Sequence, residues 1–160
     1  MTKPAWHSLI LLASLVAVYF FANDSILANY ILQLAAILII ILIVARHLHR
    51  PSSFRLAETV VSTIAVVLVT TATGGTGSPF FFLNHFLLFE ISFLLEPSVS
   101  ISLSLGLMVF YLFSKPLNPT PLSLIPLLSF VFMTPLAFFS GILYGRFKKR
   151  LKKNSRSFPL

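Results

Sequence analysis

Long apolar segments separated by short polar breaks run along the whole chain. Crossing the hydrocarbon core of a bilayer takes about 20 helical residues, and several segments approach that length. The pattern predicts an all-α integral membrane protein with six transmembrane helices, at Ala5–Ala22, Ile26–Ala45, Leu56–Thr73, Pro79–Leu95, Pro97–Phe113 and Leu122–Tyr144. These helices would form one membrane domain over residues 1–145, followed by a basic tail over residues 146–160.

The fourth and fifth spans form one apolar stretch, interrupted only by Glu96–Ser98. Residues 80–113 are too long for a single crossing, so we predict a tight hairpin with Pro97 in the first turn of the next helix. The alternating serines of Ser98–Ser104 also fit a strand. An open strand in lipid would leave its backbone unpaired, so we expect a helix that packs closely through its serines and Gly106.

Composition and charge place this bundle in a membrane and orient it. Hydrophobic residues make up 57% of the chain and charged residues 10%, and the net charge is +8. Eleven of the twelve Lys and Arg residues lie near the N-terminus, in Arg46–Arg55 or in Arg146–Arg156. By the positive-inside rule both termini are cytoplasmic, in the cell inner membrane, and the loops Thr73–Phe80 and Lys115–Pro121 face outward.

The basic tail after Tyr144 is expected to fix the orientation of the protein in the membrane by binding anionic lipid. Binding of RNA or of a partner protein is the alternative use of such a tail, but the charge distribution does not predict a nucleic-acid partner. The chain has no cysteine, and therefore no disulfide or thiolate metal site.

Threonines recur at helical spacing along the third span, at Thr59, Thr63, Thr70 and Thr73. They share one stripe of the helix. We interpret the stripe as packing through hydroxyls that bond a neighbour or their own preceding carbonyl. A ligand pathway is the alternative.

Two ionisable residues lie deep in the fourth span, where such groups are costly. His85 and Glu90 are five residues apart and so not on one helix face. Each therefore needs a partner from another helix or from water, and both a structural and a sensing role remain open. Glu58 and Glu96 lie near the cytoplasmic interface, where we expect them to pair with Arg55 or a basic loop.

The segment Thr73–Phe80, Thr-Gly-Gly-Thr-Gly-Ser-Pro-Phe, breaks the apolar pattern between the third and fourth spans. Its glycines favour a tight turn, and we predict a positive φ at Gly74 or Gly75. Pro79 would then begin the fourth helix. The simplest interpretation is a loop that closes a helical hairpin.

The heptapeptide Gly74–Phe80 resembles the Gly-Gly-x-x-Asn-Pro-Phe segment of RegB-type redox-responsive sensor histidine kinases, with Ser78 at the asparagine position. The six-span layout around it is similar to the membrane input domains of these kinases. In that family the segment is implicated in quinone binding. The resemblance therefore implies candidate sensing positions at Gly74, Gly75, Pro79 and Phe80.

The chemistry of the neighbouring residues is compatible with such a ligand. A quinone ring requires apolar or aromatic walls and hydrogen-bond donors at its carbonyls, which Phe80–Phe82, Thr73, Asn84 and His85 can supply. Together with the resemblance, this gives a predicted ligand-binding set of Thr73, Gly74, Gly75, Ser78, Pro79, Phe80, Asn84, His85 and Glu90. No catalytic residue, metal ligand or certain cofactor is predicted, and a quinone is the candidate ligand.

The sequence has no phosphoacceptor helix, ATP lid, catalytic triad or metal-binding motif, so we expect no enzymatic activity in this chain. We predict a sensor-type domain that detects a membrane-soluble ligand or membrane state and relays it through the sixth helix to a partner such as a kinase. The alternative is a small transport component, a six-span substrate-binding subunit working with a separate ATPase. A homodimer is compatible with either function.

Overall fold

The computed structural model of the protein describes residues 3–48, 55–114 and 121–157. Helices account for nearly all of these residues, and no strand occurs among them. In chain order the helices are α1 at Lys3–Asn23, α2 at Ile31–Leu48, α3 at Arg55–Ala72, α4 at Leu83–Leu94, α5 at Pro97–Phe113 and α6 at Pro121–Ser157. The predicted all-α fold is confirmed. Of the predicted outward loop over residues 115–121, all but Pro121 lies outside the described residues.

Four of the helices are long and apolar enough to cross a membrane, within Lys3–Asn23, Leu27–His47, Arg55–Ala72 and Ile125–Leu151. The other two are shorter than predicted for full spans, because α4 has 12 residues and α5 has 17. At about 1.5 Å per residue, α4 is roughly 18 Å long against a hydrocarbon core of about 30 Å.

The predicted start of the fourth helix at Pro79 is wrong, since regular helix begins only at Leu83. The preceding residues form tighter turns with bonds to the third residue back, including Phe81 N–H to the Ser78 carbonyl at 3.1 Å. The Ser78 hydroxyl also accepts the Phe80 N–H at 3.0 Å. Ser78 thus satisfies two N–H groups and holds the chain in tight turns before α-helical geometry begins.

The predicted hairpin between α4 and α5 is confirmed. Only Leu95 and Glu96 separate the two helices, and Pro97 is the first residue of α5. Ser98–Ser104 lies within α5, so its alternating serines belong to a helix. The α1–α2 connection is also short, and there the Asp24 carboxylate accepts the N–H groups of Ile26 and Leu27 at 2.9 and 3.0 Å. These bonds lower the pKa of Asp24.

One end of the bundle is rich in cationic side chains. Arg46 near the end of α2, Glu58 in the first turn of α3 and Lys148 of α6 line a single cleft there. We call this the basic end. Helix α3 begins at the basic end, and α2 finishes there.

The opposite end carries the glycine turn between α3 and α4, and we call it the loop end. Phe81 packs there against Tyr111 of α5 and Phe130 of α6, with ring centroids 5.3 and 5.5 Å apart. Tyr19 near the end of α1 packs against Phe110 at 6.3 Å. The helices therefore run alternately from one end to the other.

Small residues allow helices to approach closely at two crossings. A Cβ atom added at Gly141 of α6 would lie 2.8 Å from the Ser92 carbonyl oxygen of α4. The Ser92 hydroxyl donates to the Ala137 carbonyl at 2.7 Å, so Ala137 and Gly141 present one small face to α4. Gly106 of α5 packs in the same manner against leucines of α1, as expected for a packing helix.

The threonine stripe of α3 also serves packing, as predicted. Thr59, Thr63 and Thr70 are fully buried. Their hydroxyls donate to carbonyls of their own helix, for example Thr63 to the Thr59 carbonyl at 2.7 Å. This back-bonding satisfies the hydroxyls in an apolar interior without needing a ligand.

Candidate functional site

The glycine turn has the backbone geometry that the sequence predicts. Gly74 has a φ of 126° and Gly75 a φ of 64°. Both values lie in the region that L-residues with a side chain rarely adopt. Helix α3 ends at Ala72, and a short 3-10 turn over Gly75–Gly77 carries the chain toward α4.

Thr73 and Ser78, on the two sides of this turn, are joined by a hydrogen bond between their hydroxyls. The Thr73 hydroxyl donates to the Val69 carbonyl at 2.7 Å, and its oxygen lies 2.5 Å from the Ser78 hydroxyl. The Ser78 hydroxyl therefore donates to Thr73 while accepting the Phe80 N–H. Both predicted site residues thus brace the loop itself.

Asn84 is fully buried and joins three helices at the loop end. Its amide nitrogen donates to the Phe81 carbonyl at 3.0 Å and approaches the Thr70 hydroxyl of α3 at 3.4 Å. Its amide oxygen accepts the hydroxyl of Tyr111, on α5, at 3.2 Å. Sequence reasoning missed Tyr111, because its contact with Asn84 depends on how two helices rotate against each other.

His85 has its partner on α6, as its depth in the span led us to expect. Its Nε2 lies 2.7 Å from the Ser129 hydroxyl. Because that hydroxyl donates to the Pro126 carbonyl, the His85 N–H is the donor of the pair. The His85 ring also packs against Phe81 and Phe130, with centroids 5.8 and 5.2 Å away. We call His85, Ser129, Phe81 and Phe130 the histidine cluster.

Glu90 is held separately from this cluster. Its carboxylate accepts the Ser62 hydroxyl of α3 at 3.0 Å, so its partner also comes from another helix, as predicted. His85 pairs with α6 and Glu90 with α3, which agrees with their positions on different faces of α4.

Phe80 lies at the surface of the bundle, unlike the buried Ser78 and Asn84. Its side chain is 43% exposed on the outside of the bundle, whereas that of Phe81 is only 7% exposed and packs inward. The predicted set is thus divided among the braced turn, the Asn84 bridge, the histidine cluster and the Glu90 pair.

Open space adjoins the histidine cluster in a groove between α5 and α6. The groove has a volume of about 390 Å³ and shares Phe130 with the cluster. It is mainly apolar, and Ser104 and Thr134 place a hydrogen-bonded hydroxyl pair in its wall. This combination suits a lipid-soluble ligand with a few polar atoms. The serines of α5 were predicted only to pack, so sequence reasoning missed the groove.

A second space lies at the basic end, in the cleft between α2, α3, α4 and α6. It has a volume of about 430 Å³. Arg46 and Glu58 approach to 3.7 Å across it. Glu58 was expected to pair with Arg55 or a basic loop. Its partner is Arg46, in the basic segment Arg46–Arg55, and no ion pair between Glu58 and Arg55 occurs among the described residues.

These features define an all-α membrane protein in which Asn84, His85 and Glu90 of α4 are hydrogen-bonded to neighbouring helices. No known protein family, curated protein or solved structure matches the chain. The likeness of Gly74–Phe80 to the RegB-type segment therefore stays a prediction.

Proposed function

We propose that this protein is a sensor-type membrane domain that detects a membrane-soluble ligand of the quinone kind and relays its presence to a partner through α6. The observation that carries the proposal is the His85–Ser129 hydrogen bond at 2.7 Å. It couples α4 to α6 beside an open groove, and α6 continues without a break into the basic segment.

The groove between α5 and α6 offers a place for the ligand. A quinone ring there would lie against the wall that contains Phe130. The Thr134 hydroxyl already donates to the Phe130 carbonyl, so the Ser104 hydroxyl, which donates to Thr134 in this structure, would turn to a quinone carbonyl oxygen. Phe130 also packs on the His85 ring. Ligand binding that displaces Phe130 would therefore alter the His85–Ser129 contact.

Helix α6 has features suited to carrying such a change. Pro126 and Pro135 lie inside it, and neither can donate a backbone hydrogen bond. Helices bend most readily at such positions. The helix continues past Tyr144 into residues 146–151, which carry four of the chain's cations. A partner protein would bind this basic segment.

We propose further that the chain crosses the inner membrane six times with both termini in the cytoplasm. The alternating direction of the helices and the gathering of Arg46, Arg55 and Lys148 at one end support this arrangement. The short α4 requires a locally thinned bilayer or shielding by its neighbours.

Photolabelling of the full-length protein in lipid nanodiscs with an azido-quinone tests the ligand site. We expect labelled peptides from residues 101–108 and 130–139. Met108→Trp should fill the groove and abolish most of the labelling. Val109→Trp is the matched control, because Val109 is the next residue of α5 but lines a different groove, against α1. Equal labelling of the two variants would refute the proposed site.

The relay is tested by hydrogen exchange in residues 143–151 with and without the quinone. Ligand should change exchange there in the wild type, and His85→Phe should suppress that change while labelling persists. His47→Phe, on the exposed end of α2, is the control. A ligand response that survives in His85→Phe would exclude the His85–Ser129 pair from the relay.

A further inference from the structure

The cleft at the basic end joins positive charge to apolar walls. Arg46 comes from α2, Arg55 from α3 and Lys148 from α6, and all three line the same space. Glu58 is the one carboxylate among the lining residues. The cleft thus carries a net excess of positive charge from three separate helices.

The single carboxylate does not neutralise this charge. Glu58 faces Arg46 at 3.7 Å, and its side chain is 19% exposed against 77% for Arg46. Among the described residues, Arg46–Glu58 is the one ion pair in the cleft. Arg55 and Lys148 are thus left to face an anionic ligand.

The other residues that line the cleft are of the kinds typical of a membrane interface. Apolar side chains from α2, α3 and α4 cover the rest of the wall, among them Leu42, Val61 and Leu94. Phe93 and Tyr144 add an aromatic pair with ring centroids 5.3 Å apart. Aromatic side chains of this kind are enriched where acyl chains meet headgroups. A ligand that fits both the cationic side chains and the apolar wall of the cleft has an anionic head and a hydrocarbon tail.

We propose that this cleft binds an acidic phospholipid, with its phosphate held by Arg55 and Lys148 and its acyl chain against the apolar wall. Arginine and lysine both bind phosphate well, and basic pockets between helices are sites for acidic headgroups. Because the cations come from different helices, the bound lipid would tie α3 to α6. The cleft and the quinone groove share no lining residue, so each proposal is tested independently of the other.

Native mass spectrometry of the detergent-purified full-length protein, titrated with phosphatidylglycerol or phosphatidylcholine, tests the proposal. Both lipids contain a phosphodiester, but only phosphatidylglycerol has a net negative charge. We expect the first phosphatidylglycerol to bind about tenfold or more tightly than phosphatidylcholine, as two cationic contacts would give. Equal affinities would overturn the proposal.

Paired variants separate this cleft from the general positive charge of the surface. Arg55→Gln with Lys148→Gln should weaken phosphatidylglycerol binding about tenfold or more. The control pair, Lys149→Gln with Arg150→Gln, removes the same amount of charge from exposed neighbouring positions outside the cleft. It should change phosphatidylglycerol binding little. Equal weakening by both pairs would show that diffuse surface charge attracts the lipid and would overturn the site.

Two further measurements test whether the loss of binding reflects misfolding and whether the cleft binds a soluble anion instead of a lipid. The double variant Arg55→Lys with Lys148→Arg keeps both charges and should retain lipid binding. If this variant folds but no longer binds phosphatidylglycerol, a site built on charge is contradicted. Inorganic phosphate, added at the lipid concentrations used, should not displace phosphatidylglycerol. Displacement would show that the cleft selects a free anion and would overturn the assignment to lipid.

Discussion

Gly74 holds a backbone conformation in which any side chain is strained. Its φ is 126°, and a Cβ atom there would meet its nearest neighbour, the Ser78 nitrogen, at an ordinary 3.6 Å. The cost of a substitution therefore comes from the backbone and not from a clash. We expect Gly74→Ala to lower the free energy of unfolding by about 1–3 kcal/mol, measured by denaturant titration in detergent micelles.

Gly77 provides the matched control in the same turn. It does not have a positive φ, and a Cβ atom added to it would meet nothing within 4 Å. Gly77→Ala should therefore be neutral or stabilise by up to about 1 kcal/mol. If both alanine variants lost stability equally, the positive φ of Gly74 would not be what the turn requires.

Asn84 and Tyr111 should depend on each other energetically. The Tyr111 hydroxyl donates to the Asn84 amide oxygen at 3.2 Å, and both side chains are buried. In a double-mutant cycle of Asn84→Ala and Tyr111→Phe, we expect a coupling of about 0.5–1.5 kcal/mol. The same cycle with Tyr144→Phe, at the basic end, should be additive. Additivity in both cycles would contradict the bridge.

Among the elements, α6 is in close contact with α4 at Gly141. At Gly141 a Cβ atom would lie 2.8 Å from the Ser92 carbonyl oxygen and 3.0 Å from the Pro97 ring. Neither neighbour can move without shifting the α4–α5 hairpin. We expect Gly141→Ala to reduce the free energy of unfolding by about 1–3 kcal/mol through overpacking.

Gly145, one turn further along α6, isolates this effect from helix propensity. A Cβ atom there would meet nothing within 4 Å. Gly145→Ala should raise stability by up to about 1 kcal/mol, because alanine favours the helix. A stabilising Gly141→Ala in the same thermal-unfolding assay would show that α4 and α6 are not in such close contact.

Local signals predicted the elements better than the contacts between them. The Gly-Gly turn and the threonine stripe follow from residues close in the chain, and both were predicted. The start of α4 was missed because Ser78 bonds the Phe80 and Phe81 N–H groups and favours tight turns over α-helix. The partners Tyr111 and Ser129 were missed because they depend on helix rotation, which no local pattern records.

At the scale of the whole molecule, the two ends of the bundle carry different polar groups. The loop end holds the turn, the Asn84 bridge and the histidine cluster, whereas the basic end holds the cleft of Arg46, Arg55 and Lys148. Charge counting along the sequence predicted that these cations share one side. It did not predict that they line one cavity, since Arg46 and Lys148 come to the same space only through the packing of α2 on α3, of α3 on α4 and of α4 on α6.

The shared cleft makes the orientation of the protein testable with reporter fusions. In the proposed six-span topology, Arg55 at the start of α3 and Lys148 late in α6 lie on the same face of the membrane. The positive-inside rule assigns that face to the cytoplasm. A green fluorescent protein fused after Ser157 should therefore fluoresce, and alkaline phosphatase fused after Asn118, in the connection between α5 and α6, should be active outside.

The converse fusions provide the control, because phosphatase after Ser157 and fluorescent protein after Asn118 should both be silent. Replacing Lys148, Lys149 and Arg150 together by Gln should weaken the bias toward a cytoplasmic C-terminus, whereas replacing Lys3 alone should do so less, since it removes a single charge. A phosphatase active at both positions would mean that α6 does not cross the membrane. It would also place the basic cleft away from the cytoplasmic leaflet, where acidic lipids attract positive charge.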